Sequence, residues 1–166
     1  MATLGVKGFE LVFIDEYDAG NVFHYLEEAS QTFKAKDPVV LDATSKEVEL
    51  AADTNPEWVG FALEDASGTA GTEIEVLVVQ PTMYFSVSVS TAGAALATAV
   101  THVGTFCSFI KSTETGETDK TVLDIADTTN DFFEVVALDT RDEVGDTNGR
   151  VIVRPNPAYL KMVITP

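Results

Sequence analysis

Residues 73–89 read EIEVLVVQPTMYFSVSV and carry the clearest fold signal in this chain of 166 residues. Apolar side chains alternate with other residues on both sides of Pro81, at Ile74, Val76 and Val78 and then at Met83, Phe85, Val87 and Val89. Successive side chains of a strand point to opposite faces of its sheet, so a period of two is typical of a half-buried strand. The stretch therefore predicts two strands that are separated at Pro81.

Similar short runs on either side predict a chain built mostly of antiparallel strands. We expect further strands at residues 39–41, 46–53, 58–63, 105–111, 121–124, 132–138, 150–154 and 160–164. Turn signals separate several of them, at Asn55-Pro56, Thr115-Gly116 and Asn148-Gly149. Valine, isoleucine and threonine make up 47 residues, against 11 leucines, and Cβ-branched side chains favour sheets. Regular spacing of short strands predicts a sandwich or barrel.

The chain divides into two small β units in this interpretation. Residues 91–103 are rich in alanine and begin with Thr91 as a potential N-cap, which predicts one short helix. Residues 1–85 have a net charge of 4 − 16 = −12, and residues 86–166 have 6 − 11 = −5. We predict an N-terminal arm or edge segment at 1–30, a β domain at 31–85 and a barrel-like β domain at 86–166. One continuous sheet is the alternative.

Charge and hydropathy narrow the classes of partner. The chain has 10 basic and 27 acidic residues, so its formal net charge is −17. Such a chain repels phosphates, which argues against nucleic acid as a partner. Hydrophobic residues make up 45% of the chain, too many for a disordered acidic tail. No run approaches 18 apolar residues, so no membrane-spanning helix and no membrane partner are expected.

No motif predicts catalysis or a cofactor. Cys107 lies in an apolar run and is expected to be a buried thiol. His24 and His102 are far apart in the sequence and are expected to be structural or surface residues. The loop from Gly68 to Gly71 lacks the lysine and helix start of a phosphate-binding loop. We therefore predict that the protein is not an enzyme, with no catalytic residue and no cofactor.

Acidic residues recur in two groups that deserve consideration as calcium ligands. The groups are Asp124, Asp127 and Asp131, and Asp139, Asp142 and Asp146. Calcium binds several carboxylate oxygens at once, but the order of residues in an EF-hand is missing. In so acidic a chain, a solvated acidic surface is the expected reading, and no metal site is predicted.

Several runs resemble the head decoration (cement) proteins of tailed bacteriophages. The runs are TFKAKDPVVLD at 32–42, VELA at 48–51, VGFALEDA at 59–66 and GTEIEVLVV at 71–79. Further segments resemble the C-terminal barrel of two-domain phage capsid accessory proteins, namely 103–105, 122–124, 127–130 and 144–153. The resemblance implies a homotrimer on the outer surface of the capsid, made in the host cytoplasm. There it would clamp neighbouring major capsid protein subunits after the head expands.

The N-terminal segment is the predicted contact with the capsid. It has more large apolar side chains than a free arm needs: Phe9, Leu11, Phe13, Phe23 and Tyr25. One hypothesis is that it adds a strand to a capsid subunit or to a neighbouring copy. Deleting residues 1–18 would then abolish binding and leave the fold intact. The alternative is that the segment is an edge strand of its own domain.

Two other kinds of function stay open. One is a binding module for a glycan or receptor, displayed on a virion, which exposed aromatic side chains beside a groove would favour. Trp58 lies within a strand pattern and is expected to be in the core instead. The other is a different virion component, such as a tail or connector protein, which six-fold or twelve-fold rings would distinguish from a trimer.

Overall fold

The computed structural model describes residues 1–14, 21–52, 54 and 57–160. The fold is mostly β, as predicted. Its strands are β1 Glu10–Ile14, β2 Val22–Leu26, β3 Pro38–Leu41, β4 Val48–Leu50, β5 Gly60–Ala62, β6 Glu73–Val78, β7 Met83–Thr91, β8 Ala94–Ala95, β9 Phe106–Lys111, β10 Thr121–Asp124, β11 Phe133–Leu138 and β12 Arg150–Pro155. Two short 3-10 helices cover Val100–His102 and Pro157–Tyr159.

The first sheet has five antiparallel strands in the order β2-β6-β5-β3-β4. The alternation noted in the sequence sets its faces, because Ile74 and Val76 are buried while Glu73 and Glu75 are exposed. Gly60 sits at the centre of this sheet. A Cβ atom there would lie 2.0 Å from the carbonyl oxygen of Leu77, so β5 and β6 can approach each other only with glycine at this position.

The second sheet closes into a barrel of five strands. Around the barrel, β7 pairs with β10, β10 with β9, β9 with β11, β11 with β12, and β12 again with β7. The β7–β10 pair is parallel and the other four are antiparallel. Closure is possible because β7 is nine residues long and pairs with β12 at Phe85–Ser88 and with β10 at Val89–Ser90. The first part of β7 also pairs with β1.

The larger core lies inside the barrel and extends to the first sheet. Trp58, which precedes β5, and Phe61 and Leu77 of the first sheet belong to the same buried cluster as the barrel residues Phe85 and Phe133. A smaller cluster, formed by Phe33, Val39, Val48, Val59, Ala62, Ile74 and Val76, covers the other side of the first sheet. The two sheets therefore share a continuous apolar contact.

The strands predicted between residues 39 and 154 each overlap an observed strand. The predicted strand at 160–164 begins at Leu160, which forms a bridge with Trp58, and its other residues lie outside the described part. Trp58 is fully buried, as predicted. In the described part, no helix is long and apolar enough to span a membrane.

The short helix expected within 91–103 is a single 3-10 turn at Val100–His102. Much of the alanine-rich stretch instead forms a hairpin, since β8 pairs with the end of β7 at Ser90 and Thr91. Ala92 and Gly93 form its turn, with φ angles of 50° and 79°. Alanine favours a helix by a few tenths of a kcal/mol per residue, roughly, and pairing with a barrel strand outweighs that preference.

Candidate docking surface

The structure places the five predicted contact residues in different environments. Phe9 is 2% exposed and lies in the larger core, whereas Leu11 on β1 is 36% exposed. Phe23 and Tyr25 are half-buried, and Tyr25 packs against the smaller core, where burial raises its pKa. The side chain of Phe13 lies outside the described residues. Leu11 is thus the most accessible of the four side chains that are described.

Residues 10–14 and 22–26 form edge strands. Within the described ranges, β1 pairs with β7 alone, and β2 pairs with β6, while Glu27 just after β2 forms a bridge with Val48 of β4. The outer side of β1 and that of the first residues of β2 keep backbone N–H and C=O groups without a strand partner, which is the requirement for adding a strand from another chain. The edge-strand reading of the N-terminal segment therefore agrees with the structure, and it is compatible with strand addition.

An apolar groove runs between β1 and the first sheet. Its volume is about 270 Å³, and Phe61, Phe85 and the buried Phe9 contribute to its lining. Three exposed apolar side chains also line it: Leu11, Val22 and Leu63, which are 36%, 37% and 40% exposed. An exposed apolar groove beside a free strand edge is typical of a docking surface.

Two of the contact residues predicted from the sequence, Phe9 and Leu11, line this groove, but the sequence did not identify Val22 or Leu63. Val22 begins β2, where the sequence period is ambiguous, and Leu63 directly follows β5. The three residues meet because β1 lies beside the sheet that contains β2 and β5, which no local pattern in the sequence shows.

A basic cleft adjoins the groove. Its volume is about 520 Å³, and its lining contains six of the ten basic residues of the chain: Lys7, Lys34, Lys36, Lys120, Arg141 and Arg150. Its acidic lining residues are Glu10, Asp37 and Asp119. The sequence did not reveal the cleft, because its basic residues are spread from position 7 to position 150 and meet only where the two sheets join.

Four of these cations are paired with carboxylates. The pairs are Lys34 with Asp65, Lys120 with Glu117, Arg141 with Asp139, and Arg150 with Asp142. Among the described residues, no carboxylate lies within 4 Å of the ammonium group of Lys7 or Lys36. Within the described part of the chain, these two lysines are therefore the cations of the cleft without a carboxylate partner.

The backbone holds both lysines in place. Lys7 donates its N–H to the Ser88 hydroxyl at 2.9 Å, and its carbonyl accepts the N–H of Ser88 at 3.0 Å. Lys36 has a φ of 77° and donates its N–H to the carbonyl of Ala62 at 2.7 Å. A left-handed lysine costs about 1 kcal/mol, which the surrounding structure must offset. Lys36 lines both the cleft and the groove.

The carboxylates of the two acidic groups noted in the sequence accept hydrogen bonds from backbone N–H groups and from arginines. Asp124 accepts the N–H groups of Ala92 and Ala126, and Asp127 accepts that of Thr129. Asp146 accepts the N–H of Ala2 and of Glu143. These carboxylates stabilise turns, and neither group gathers as a set of metal ligands in the described part of the chain.

A different acidic group does gather at one end of the first sheet. Carboxylate oxygens of Glu28, Asp42 and Glu49 lie within 4.8 Å of one another. Burial and the neighbouring carboxylates Glu28 and Asp42 raise the pKa of Glu49. Exposed carboxylates often gather in this way in an acidic chain, and three of them without a further ligand do not make a site.

The remaining candidate groups are structural. Cys107 is fully buried, as predicted, and burial raises the pKa of its thiol far above the physiological range. His102 is half-buried, which lowers its pKa, and its Nδ1 accepts the N–H of Ala99. The loop at Gly68 binds a carboxylate of the chain itself, since the buried Glu27 accepts N–H groups from Ser67 and Gly68 at 2.9 and 2.6 Å.

Two arginine–carboxylate pairs beside the cleft make the fold sensitive to acid. Burial alone would raise the pKa of Asp139, but hydrogen bonds from Arg141 and Ser86 outweigh burial and hold that pKa well below its usual range. The hydrogen bonds of Arg150 likewise lower the pKa of Asp142. A carboxylate with a lowered pKa stabilises the fold above its unfolded pKa, and that contribution is lost as the pH falls through the folded pKa.

We therefore expect stability to fall steeply below about pH 4, and Asp139→Asn to reduce that dependence. Each such group contributes a slope of about 1.4 kcal/mol per pH unit between its folded and unfolded pKa. Urea unfolding from pH 6 to pH 2, followed by Trp58 fluorescence, would measure it. The variant should be less stable than the unsubstituted protein at pH 6, with the difference narrowing towards pH 2. If the free energies of unfolding of the two proteins differed by the same amount at every pH, Asp139 would not be a source of the acid sensitivity.

Comparison with known proteins adds no relative to this description. The chain matches no family model, no curated protein and no solved structure.

Proposed function

We propose that this chain is a structural virion protein that binds the outer surface of a tailed-phage head as a decoration protein. The observation that carries the proposal is the exposed apolar groove beside the outer edge of β1 and the first residues of β2. The resemblance of residues 32–79 to phage head decoration proteins supports it. In this proposal the partner is the major capsid protein, and the protein acts as a homotrimer that stabilises the expanded head.

The distribution of charge agrees with an outward-facing role. A chain with a net charge of −17 is repelled by DNA packaged inside a head and stays soluble and non-adhesive on the outside. The groove would supply the apolar contact with the capsid, and avidity from several copies of the groove would strengthen individually weak contacts. A virion-displayed binding module and a tail or connector component are outcomes that the following experiment can separate.

We expect the purified protein to co-sediment with expanded heads that lack it, saturating near one copy per major capsid subunit. Unexpanded heads should not bind it. Leu11→Asp should weaken binding at least ten-fold, because it places a charge in the apolar groove. Val144→Asp is the matched control, since Val144 is 55% exposed and lies outside the groove.

Two results would contradict this proposal. Absence of saturable binding to either form of the head would remove its basis and favour the binding-module or tail-component reading. Equal losses in the Leu11 and Val144 variants would show that the groove is not the contact. Unchanged Trp58 fluorescence would confirm that each variant remains folded, because Trp58 is fully buried in the larger core.

A further inference from the structure

The basic cleft is an exception in the charge distribution of the chain. Its lining has six basic and three acidic residues, or +3. The rest of the chain has four basic and 24 acidic residues, or −20, which together give −17. Like charges gathered in this way repel one another and are usually dispersed or neutralised by partners. Four of the six cations have a carboxylate partner, whereas Lys7 and Lys36 have none among the described residues.

The cleft and the apolar groove form one continuous surface. Glu10 and Lys36 line both of them, so no ridge of other residues separates the two. The surface follows the N-terminal segment, with Lys7 on the cleft side and Leu11 on the groove side. A strand laid along this segment would present side chains to both parts, since a strand rises about 3.3 Å per residue.

We propose that this surface binds an extended segment of a partner protein in which a large apolar side chain is accompanied by carboxylates. The apolar side chain would enter the groove beside Leu11 and Leu63. The carboxylates would pair with the ammonium groups of Lys7 and Lys36. The inference rests on the proposed function and deepens it, because it states the chemistry of the capsid segment that the protein would bind.

Charge favours such a segment over a nucleic acid. A polyphosphate longer than the cleft would extend over the rest of the chain, whose 24 acidic and four basic residues would repel it. A short protein segment can place its carboxylates in the cleft and carry no negative charge outside the cleft, so the rest of the chain would not repel it. The groove also requires an apolar side chain, which a polyphosphate lacks.

Two lysines provide a matched pair for the test. Lys36 lies in the cleft and Lys46 lies outside it, and both side chains are exposed. Both have a left-handed backbone, with φ of 77° and 63°. Substitution of either by glutamate therefore changes the net charge equally and imposes the same backbone cost. Lys36→Gly removes the charge while suiting the left-handed backbone, so a loss of binding in this variant does not come from strain.

The experiment measures fluorescence anisotropy of a labelled six-residue peptide that alternates leucine and glutamate, titrated with the full chain. We expect saturable binding that Lys36→Glu and Lys36→Gly weaken at least ten-fold and Lys46→Glu changes less than two-fold. A peptide alternating leucine and lysine should bind at least ten-fold more weakly. A single-stranded oligonucleotide of six nucleotides should also bind at least ten-fold more weakly.

Three results would overturn the inference. They are absence of saturable binding up to millimolar protein, equal effects of the Lys36 and Lys46 variants, and binding of the oligonucleotide as tight as that of the acidic peptide. Binding to heads distinguishes this failure from failure of the proposed function. If the protein binds heads but not the acidic peptide, the inference is wrong and the function stands. If it binds the peptide but not heads, the function is wrong.

Discussion

Replacing Phe9 with alanine should lower the free energy of unfolding by about 3–5 kcal/mol, the usual cost of removing a buried phenylalanine ring. Phe9 is 2% exposed although it lies close to the N-terminus. Its ring centroid lies 4.9 Å from those of Phe61 in the first sheet and Phe133 in the barrel. A third ring, Phe85 of β7, lies 6.4 Å away. Phe9 therefore joins the two sheets, and its loss would leave a cavity where they meet.

Leu11→Ala is the matched control for Phe9→Ala. Leu11 is two residues further along and 36% exposed, so its truncation should cost about 1 kcal/mol. Urea denaturation followed by the fluorescence of Trp58 would measure both variants. Similar losses in the two variants would contradict the placement of Phe9 in the core. The proposed docking role predicts a different effect on binding to heads. There, Leu11→Ala should weaken binding although the variant is still folded.

The burial of Phe9 also matters for the deletion of residues 1–18, which we expected from the sequence to leave the fold intact. The structure contradicts that expectation, because Val6 and Phe9 are both buried in the chain. The N–H of Ser88 also bonds to the carbonyl of Lys7. Point substitutions at exposed positions of the N-terminal segment are therefore the better test of docking.

Replacing Asp37 with alanine should cost about 3 kcal/mol, because the carboxylate is buried and accepts three hydrogen bonds. It is 2% exposed and lies just before β3. Its donors are the N–H of Lys34 at 2.8 Å, the hydroxyl of Thr121 at 2.6 Å and the ammonium group of Lys111. Thr121 and Lys111 belong to the barrel, so Asp37 ties the first sheet to the second by polar contacts.

The control for Asp37 is Asp65→Ala. Asp65 also pairs with a lysine, since its oxygen lies 2.9 Å from Nζ of Lys34, but both side chains are more than half exposed. An exposed pair contributes little, so this variant should be far less destabilised than Asp37→Ala. Thermal unfolding of both variants would compare them. Thr121→Val should lose part of the stability that Asp37→Ala loses. The double variant should be destabilised by less than the sum of the two single variants, because both substitutions remove the same hydrogen bond.

The local sequence pattern correctly predicted most strands, but it did not predict the structure of the alanine-rich stretch. The alternation at 73–89 predicted β6 and β7 because the period of side chains along a strand is a local property. The alanine-rich residues 91–103 predicted a helix from the same kind of local preference. There, Gly93 and Ala92 turn the chain back onto β7, and a tertiary pairing decided the outcome.

The candidate surface could be predicted only in small part. Leu11 was named because a large apolar side chain in a short N-terminal strand is visible in the sequence. Phe9 looks the same in the sequence, and only the position of the first sheet distinguishes the buried ring from the exposed leucine. Lys7 and Lys36 are ordinary surface lysines by sequence. They line the same cleft because the segment before β1 and the turn before β3 meet at the junction of the sheets.

The sequence by itself therefore determined the class of fold, the places of most strands and the strongly negative charge. These properties depend on local periodicity, on Cβ branching and on counts of residues, which need no knowledge of neighbours in space. Tertiary structure alone decided the closure of the barrel, the burial of Phe9 and the junction of the groove with the cleft. Those properties depend on contacts between residues far apart in the chain, such as Lys7 with Ser88 and Asp37 with Thr121.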